Sequence, residues 1–165
     1  MRRRDVVVAA GALALARPAV AAAQIGREAD ALTRALRLEH ATVFAYDAVD
    51  AAGALRGDAA LLLRRLRGHE AEHAEALARA LTDIAWPLPR PPDTAEEVDV
   101  PQIRAALGGL GDRAGALAFL REIERLSVGA HRAALGRLRD GRHLQLVATI
   151  LAAEATHQVA WRAVG

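Results

Sequence analysis

The apolar residues downstream of residue 24 fall into four stretches that follow the repeat of an amphipathic helix. Within each stretch they recur at steps of three and four residues, which places their side chains along one face of a helix. The stretches cover residues 30–49, 58–84, 112–139 and 141–164. The pattern therefore predicts four long helices, each with one face buried in a common core.

The segments between these stretches predict how the helices are connected. Gly53 and Gly57 mark a short turn between the first two, and an Asp-Gly pair at residues 140–141 marks another between the last two. The middle connection is longer, because the proline-rich residues 86–92 cannot be helical and precede only a short predicted helix at residues 101–107. The sequence thus predicts an all-α, antiparallel four-helix bundle in which two helical hairpins are joined by one long crossover.

The composition agrees with this fold class and limits the chemistry. Hydrophobic residues make up 53% of the 165 residues but aromatic residues only 3%, and the apolar content is mostly alanine, leucine and valine. The length suits a single domain. The chain has no cysteine, which excludes disulfides, iron–sulfur clusters, thiolate zinc sites and cysteine nucleophiles. Any bound metal must therefore use oxygen and imidazole ligands.

The first 23 residues have the organisation of a signal peptide. A basic start precedes an apolar run over residues 6–16, and the alanines at 21–23 fit the small-residue cleavage rule. The paired arginines at 3–4 resemble a twin-arginine signal, although Val-Val replaces the usual Phe-Leu, which leaves the general secretory route open. We therefore expect export to the periplasm, the cell envelope or the extracellular space, with residues 24–165 as the mature domain.

The predicted mature chain has little net charge. Removing the signal segment removes four arginines and one aspartate, which leaves 18 basic and 19 acidic residues. This balance, without a lysine-rich arm, argues against nucleic acid as a partner. The apolar run at residues 6–16 is well below the roughly 20 residues that a membrane-spanning helix needs. We therefore expect no membrane span in the mature protein.

Acidic side chains interrupt the apolar face of every predicted helix near its middle. An unpaired ionised carboxylate in an apolar core costs several kcal/mol or more, and four together repel one another. No lysine or arginine lies on these faces, so bound cations are the economical way to balance the charge. The predicted ligands are one glutamate from each helix and a histidine three residues later in the second and fourth helices: Glu39, Glu70, His73, Glu124, Glu154 and His157.

An internal repeat supports this set. Residues 38–46 match residues 123–131 at an offset of 85, and residues 70–73 match residues 154–157 at an offset of 84. Two hairpins with the same ligand order predict a site with pseudo-two-fold symmetry. The repeat also selects Glu124 rather than Glu122, because residue 122 lies off the buried face.

Two further polar residues occupy equivalent positions in the repeat. Tyr46 and His131 each lie seven residues after the glutamate of their own helix, on the same buried face. They are candidates to contact the metal ligands rather than the metal. Simple packing in the core, with a satisfied polar tip, explains their positions equally well.

The ligand order of Glu, Glu-x-x-His, Glu, Glu-x-x-His resembles the di-iron carboxylate set of the ferritin-like superfamily, which includes bacterioferritins and rubrerythrins. The resemblance implies two iron ions, with manganese as an alternative, and oxidation of Fe(II) by dioxygen or peroxide. It implies that Glu70 and Glu154 bridge or cap the metals and that His73 and His157 are terminal ligands. No haem is expected, because the only methionine is Met1. A homo-oligomer is compatible with the resemblance.

Two other functions are open at this stage. Residues 69–73 read His-Glu-Ala-Glu-His and match the H-E-x-x-H pattern of zinc metalloproteases, in which both histidines bind zinc. The repeat disfavours this reading, because Ala153 stands at the position equivalent to His69, which is therefore expected to have no role in the site. The third hypothesis is a non-catalytic exported bundle that acts in the cell envelope or under stress.

Overall fold

The computed structural model describes the backbone of residues 4–164 and the side chains of residues 22–164. Five α-helices account for most of this part of the chain, two short 3-10 turns lie at Ala95–Glu97 and Leu107–Gly109, and no strand occurs in it. The α-helices are α1 (Arg4–Ala52), α2 (Asp58–Asp83), α3 (Pro101–Ala106), α4 (Arg113–Leu135) and α5 (Gly141–Ala163). The predicted all-α fold class is confirmed.

The four long helices form two hairpins. Helix α1 packs mainly against α2, and α4 mainly against α5, while α1 with α4 and α2 with α5 make the contacts between hairpins. Gly53 and Gly57 adopt positive φ angles of 65° and 56° in the first turn, a conformation that glycine reaches without a steric penalty. The crossover contributes three buried residues, Val98, Ile103 and Leu110, to the core.

Helix ends follow local capping chemistry. The Asp112 side chain accepts a hydrogen bond from the Gly115 backbone N–H, and the Asp140 side chain accepts hydrogen bonds from the first turn of α5. Helix α4 ends at Leu135, earlier than the predicted residue 139, because tight turns follow it. Leu138 nevertheless remains buried in the core, with only 1% of its surface exposed.

The acidic residues divide the apolar core into two clusters. One cluster includes Leu63, Leu120 and Trp161, and the other includes Leu36 and Leu77. On each long helix the buried glutamate lies between residues of the first cluster and residues of the second. The site is therefore a polar layer with apolar packing on both sides along the bundle axis.

Two predictions concern regions at the edge of the described chain. The predicted signal segment falls almost entirely on residues whose side chains lie outside the described part, so it stays a prediction. Over the residues that are described, no helix is both long and apolar enough to cross a membrane.

Candidate metal centre

The structure brings the six predicted ligands together at one level of the bundle. The four glutamates are fully buried, and His157 is 2% exposed. Among the described residues, two groups each place four potential ligand atoms within 4.8 Å of one another. The groups are Glu39, Glu70, His73 and Glu154, and Glu70, Glu124, Glu154 and His157.

The two groups overlap in a way that follows the internal repeat. Glu70 and Glu154 belong to both groups, whereas the other members belong to one group each. The first group is completed by Glu39 and His73 from the α1–α2 hairpin. The second is completed by residues at the equivalent positions of the α4–α5 hairpin. The arrangement suits two cations that share two carboxylates.

The His73 ring points its Nδ1 atom at carboxylates from three helices. This atom lies 3.0 Å from Glu154 Oε1, 3.4 Å from Glu70 Oε2 and 3.9 Å from Glu39 Oε2. The distances are short, but the angles do not suit hydrogen bonds, and Nδ1 has no hydrogen-bond partner. This geometry is typical of ligand atoms that all point at a common position between them, and not of atoms that hydrogen-bond to one another.

His157 makes the equivalent contacts on the other side. Its Nδ1 atom lies 2.8 Å from Glu70 Oε1, 3.6 Å from Glu124 Oε2 and 3.9 Å from Glu154 Oε2, again without a hydrogen bond. Both oxygens of Glu70 and of Glu154 are likewise buried without a hydrogen-bond partner. Buried polar atoms in proteins are rarely left unpaired. The donor set therefore fits bound cations with oxygen and nitrogen preferences.

The carboxylates strongly perturb one another. Burial raises the pKa of Glu39 well above its usual value, and the charges of Glu154 and Glu70 add to the increase. Burial also raises the pKa of Glu154 to about 8, helped by the charges of Glu70 and Glu124 and opposed by its contact with His73. Burial would raise the pKa of Glu70 as well, but its contacts with the two histidines outweigh burial and lower it.

The carboxylates also raise the pKa values of the two histidines. Burial lowers the pKa of each ring, but neighbouring carboxylates outweigh it, which raises the pKa of His73 to about 9 and that of His157 to about 10. Near neutral pH the side chains alone therefore retain protons on both rings and on some of the carboxyl groups. A divalent cation would take the place of these protons.

Tyr46 and His131 each reach a predicted ligand on the opposite hairpin. The Tyr46 hydroxyl donates a hydrogen bond to Glu124 Oε1 and accepts one of 2.8 Å from Trp161 Nε1. His131 Nε2 lies 3.0 Å from Glu39 Oε1, while its Nδ1 lies 2.9 Å from the carbonyl oxygen of Ser127. Tyr46 thus orients Glu124 through a hydrogen bond, whereas His131 lies beside Glu39 without one.

Burial explains why Tyr46 acts as a donor. It raises the pKa of the phenol well above its usual value, and the charges of Glu124 and Glu70 add to the effect, so the hydroxyl keeps its proton. Burial lowers the pKa of His131. In the neutral ring, donation from Nδ1 to the Ser127 carbonyl leaves a lone pair on Nε2, which has no hydrogen-bond partner although Glu39 Oε1 lies 3.0 Å away.

His69 contacts the site, which the sequence analysis did not foresee. Its Nδ1 atom lies 3.1 Å from His157 Nε2, at hydrogen-bond distance. The available signal was its position one turn before His73 on α2, but the repeat argued against any role. A zinc protease of the H-E-x-x-H type would use His69 as a zinc ligand. In the described part of the chain, neither group of potential metal ligands includes His69, which disfavours that function.

The comparisons with known proteins agree with the fold. Residues 27–165 match a family model described as a ferritin-like domain, and the chain belongs to this family. The structure is similar to the crystal structure of a conserved hypothetical protein, rv2844, from Mycobacterium tuberculosis, with a TM-score of 0.72 and 18% sequence identity over 86% of this chain and 92% of that chain. At this identity the likeness shows the fold alone. No curated protein matches the chain.

Proposed function

We propose that this ferritin-like chain holds two iron ions, with manganese as the alternative, and oxidises Fe(II) with dioxygen or peroxide. The observation that carries the proposal is the pair of overlapping ligand groups that share Glu70 and Glu154. One buried acidic cluster could arise by chance in a bundle. Two related by the internal repeat, each with a converging imidazole, are difficult to explain without a pair of cations.

The charge and donor atoms support this assignment. Four carboxylates balance the charge of two divalent cations, so the filled core has no net charge. Glu39 and His73 would complete one position, and Glu124 and His157 the other. Carboxylate and imidazole ligands suit iron and manganese. Two such ions, held close together, supply the electrons that reduce dioxygen or peroxide.

The surrounding residues would control the geometry and the access of water. The apolar clusters on both sides of the acidic layer exclude bulk solvent along the bundle axis, which strengthens the electrostatic interactions inside. Tyr46, held by Trp161, fixes the orientation of Glu124. The ring of His131, held by the Ser127 carbonyl, lies 3.0 Å from Glu39 and limits the space that this carboxylate can occupy.

Two substitutions on α4 test the proposal. Glu124→Gln removes a proposed ligand, whereas Glu122→Gln removes an exposed acid, two residues away, that pairs with Arg125. We expect about two iron ions per chain in the wild type and in Glu122→Gln, and loss of iron and of Fe(II)-dependent oxygen consumption in Glu124→Gln. Elemental analysis after anaerobic loading and an oxygen electrode give the two readouts. A folded wild type that binds almost no metal would favour a non-catalytic bundle.

Export is a separate proposal, supported by the sequence of the first 23 residues. The match to the ferritin-like domain begins at residue 27, downstream of the proposed signal. Replacing Arg3 and Arg4 together by lysine should block export by the twin-arginine route, which carries folded proteins. Fractionation of cells that express each version measures this. Unchanged export of the variant would indicate the general secretory route.

A further inference from the structure

The contact between His69 and His157 has the geometry of an end-to-end hydrogen bond. The two nitrogens are 3.1 Å apart and the ring centroids 5.3 Å apart, with 30° between the ring planes. The distance between the ring centroids thus exceeds the distance between the nitrogens by only about 2 Å. This small difference is expected when each nitrogen lies on the line that joins the two ring centres. Rings stacked face to face would not place their nitrogens on this line.

This hydrogen bond determines which nitrogen of His157 can bind a metal. A neutral imidazole has one N–H donor and one acceptor nitrogen. If His157 Nε2 donates to His69 Nδ1, the lone pair of the ring is left on Nδ1, which is the atom that faces Glu70 and Glu124. Partners of this kind fix both the tautomer and the orientation of a ligating histidine.

His69 and His157 also line the same groove on the protein surface. The groove, of about 270 Å³, runs between α2 and α5 and is lined by both histidines together with Leu62, Arg65 and Ala160. Most of the groove surface is apolar. Without His69, water in this groove would be the remaining partner for the outer nitrogen of His157, and it would orient the ring less firmly.

The internal repeat is broken at this residue. The position equivalent to His69 in α5 is Ala153, which lines the same groove and has no polar side-chain atom. Among residues 22–164, no group donates to or accepts from the outer nitrogen of His73. One histidine of the centre is therefore supported by a protein side chain, and its symmetry equivalent is not.

We propose that His69 is a positioning residue that orients His157, and that it makes the metal position at Glu124 and His157 bind its ion more tightly than the position at Glu39 and His73. The inference rests on the proposed two-metal centre. It extends that proposal by making the two positions unequal and by naming the residue responsible. Loss of a partner of this kind typically weakens metal binding about 10- to 100-fold.

Two substitutions of nearly the same size distinguish the effect of the hydrogen bond on metal binding from the effect of packing. His69→Asn keeps an acceptor near the position of Nδ1, through its amide oxygen, whereas His69→Leu fills similar space without an acceptor. Arg65→Ala, in the same groove, is the control for solvent access. Circular dichroism establishes that each variant retains its helices, which is expected because the groove is apolar and His69 is only partly buried.

The measurement is calorimetric titration of the full-length, metal-stripped protein with Mn(II), followed by Zn(II) loading for NMR. We expect two unequal binding steps in the wild type, in His69→Asn and in Arg65→Ala. In His69→Leu the tighter step should weaken about 10- to 100-fold and the weaker step should stay unchanged. In the Zn(II) form, a slowly exchanging ring N–H of His157 should be present in the wild type and absent in His69→Leu.

Four results would overturn the inference. Unchanged titration steps in His69→Leu would mean that the hydrogen bond does not affect metal binding. Equal weakening in His69→Leu and His69→Asn would assign the effect to packing instead. Two equal steps in the wild type would remove the difference between the positions and leave the proposed two-metal centre intact. A wild type that binds no Mn(II) or iron would overturn the proposed function, and the inference with it.

Discussion

Replacing Glu154 by glutamine should stabilise the metal-free protein and abolish its stabilisation by metal. Glutamine has nearly the same shape but carries no charge and cannot bridge two cations. Burial, with the charges of Glu70 and Glu124, raises the pKa of Glu154 from 4.5 to about 8. The folded protein without metal therefore takes up a proton near neutral pH that the unfolded chain does not hold.

The sign of the effect follows from linkage. Because the folded pKa is higher than the unfolded value, the carboxyl group costs no stability below about pH 4.5, and its cost grows until the pH reaches about 8. Each pH unit in this window is worth about 1.4 kcal/mol, so the cost near pH 7 is about 3 kcal/mol. The contact of Glu154 with His73, whose Nδ1 atom lies 3.0 Å away, opposes the rise in the pKa and is already contained in the value of about 8.

We therefore expect metal-free Glu154→Gln to be about 3 kcal/mol more stable than the wild type near pH 7, and about as stable as the wild type near pH 4.5. Urea unfolding followed by circular dichroism, in the presence of a chelator, measures the free energy of unfolding. Glu72→Gln, at an exposed position of α2, is the control and should show no such pH dependence. Added Mn(II) should raise the stability of the wild type and of Glu72→Gln only.

The reasoning is refuted if the difference between Glu154→Gln and the wild type is the same near both pH values. That result would mean that Glu154 is not forced to take up a proton in the folded state. Retention of two bound ions by Glu154→Gln would separately refute its role as a shared ligand.

Three further predictions test other parts of the structure. Metal binding near pH 7 should release protons, measurable with a pH-stat, and should tighten as pH rises, because the pKa values of His73 and His157 are raised to about 9 and 10. Ala85→Gly should raise the free energy of unfolding in urea by about 1 kcal/mol, because Ala85, two residues beyond the last residue of α2, has a φ of 53°; a decrease would contradict this. Glu28→Gln should cost about 2 kcal/mol in urea unfolding, because the carboxylate accepts four hydrogen bonds. These bonds lower the pKa of Glu28 against the effect of burial, so the loss should disappear as pH falls below about 4.5.

Helical spacing was sufficient to predict the level at which the acidic residues meet. Glu39, Glu70, Glu124 and Glu154 each lie on a repeat of three and four residues, and their burial follows from that repeat. The offset of the repeat also distinguished Glu124 from Glu122, which the structure leaves exposed and paired with Arg125. Burial on one helix face follows from spacing along that helix, and the repeat is visible in the sequence itself, so a single sequence reveals both.

Contacts between helices were harder to predict from the sequence. Glu28 accepts hydrogen bonds from the backbone of Arg139 and Asp140, more than one hundred residues away, and no local pattern indicates this pairing. The left-handed conformation of Ala85 was also missed, because alanine is among the strongest helix formers and the usual signal for such a helix end is glycine.

The sequence by itself determined the helices, their hairpin order and the residues that line the acidic layer, because helix periodicity and turn chemistry act over a few residues. Only the tertiary structure decided which side chains converge in each of the two ligand groups, that Tyr46 and His131 reach the opposite hairpin, and that His69 meets His157. The physical reason is that these contacts depend on how far each helix is rotated and shifted against its neighbours. Rotation and shift are set by the interlocking of side chains across the whole core, not by the residues of any one helix.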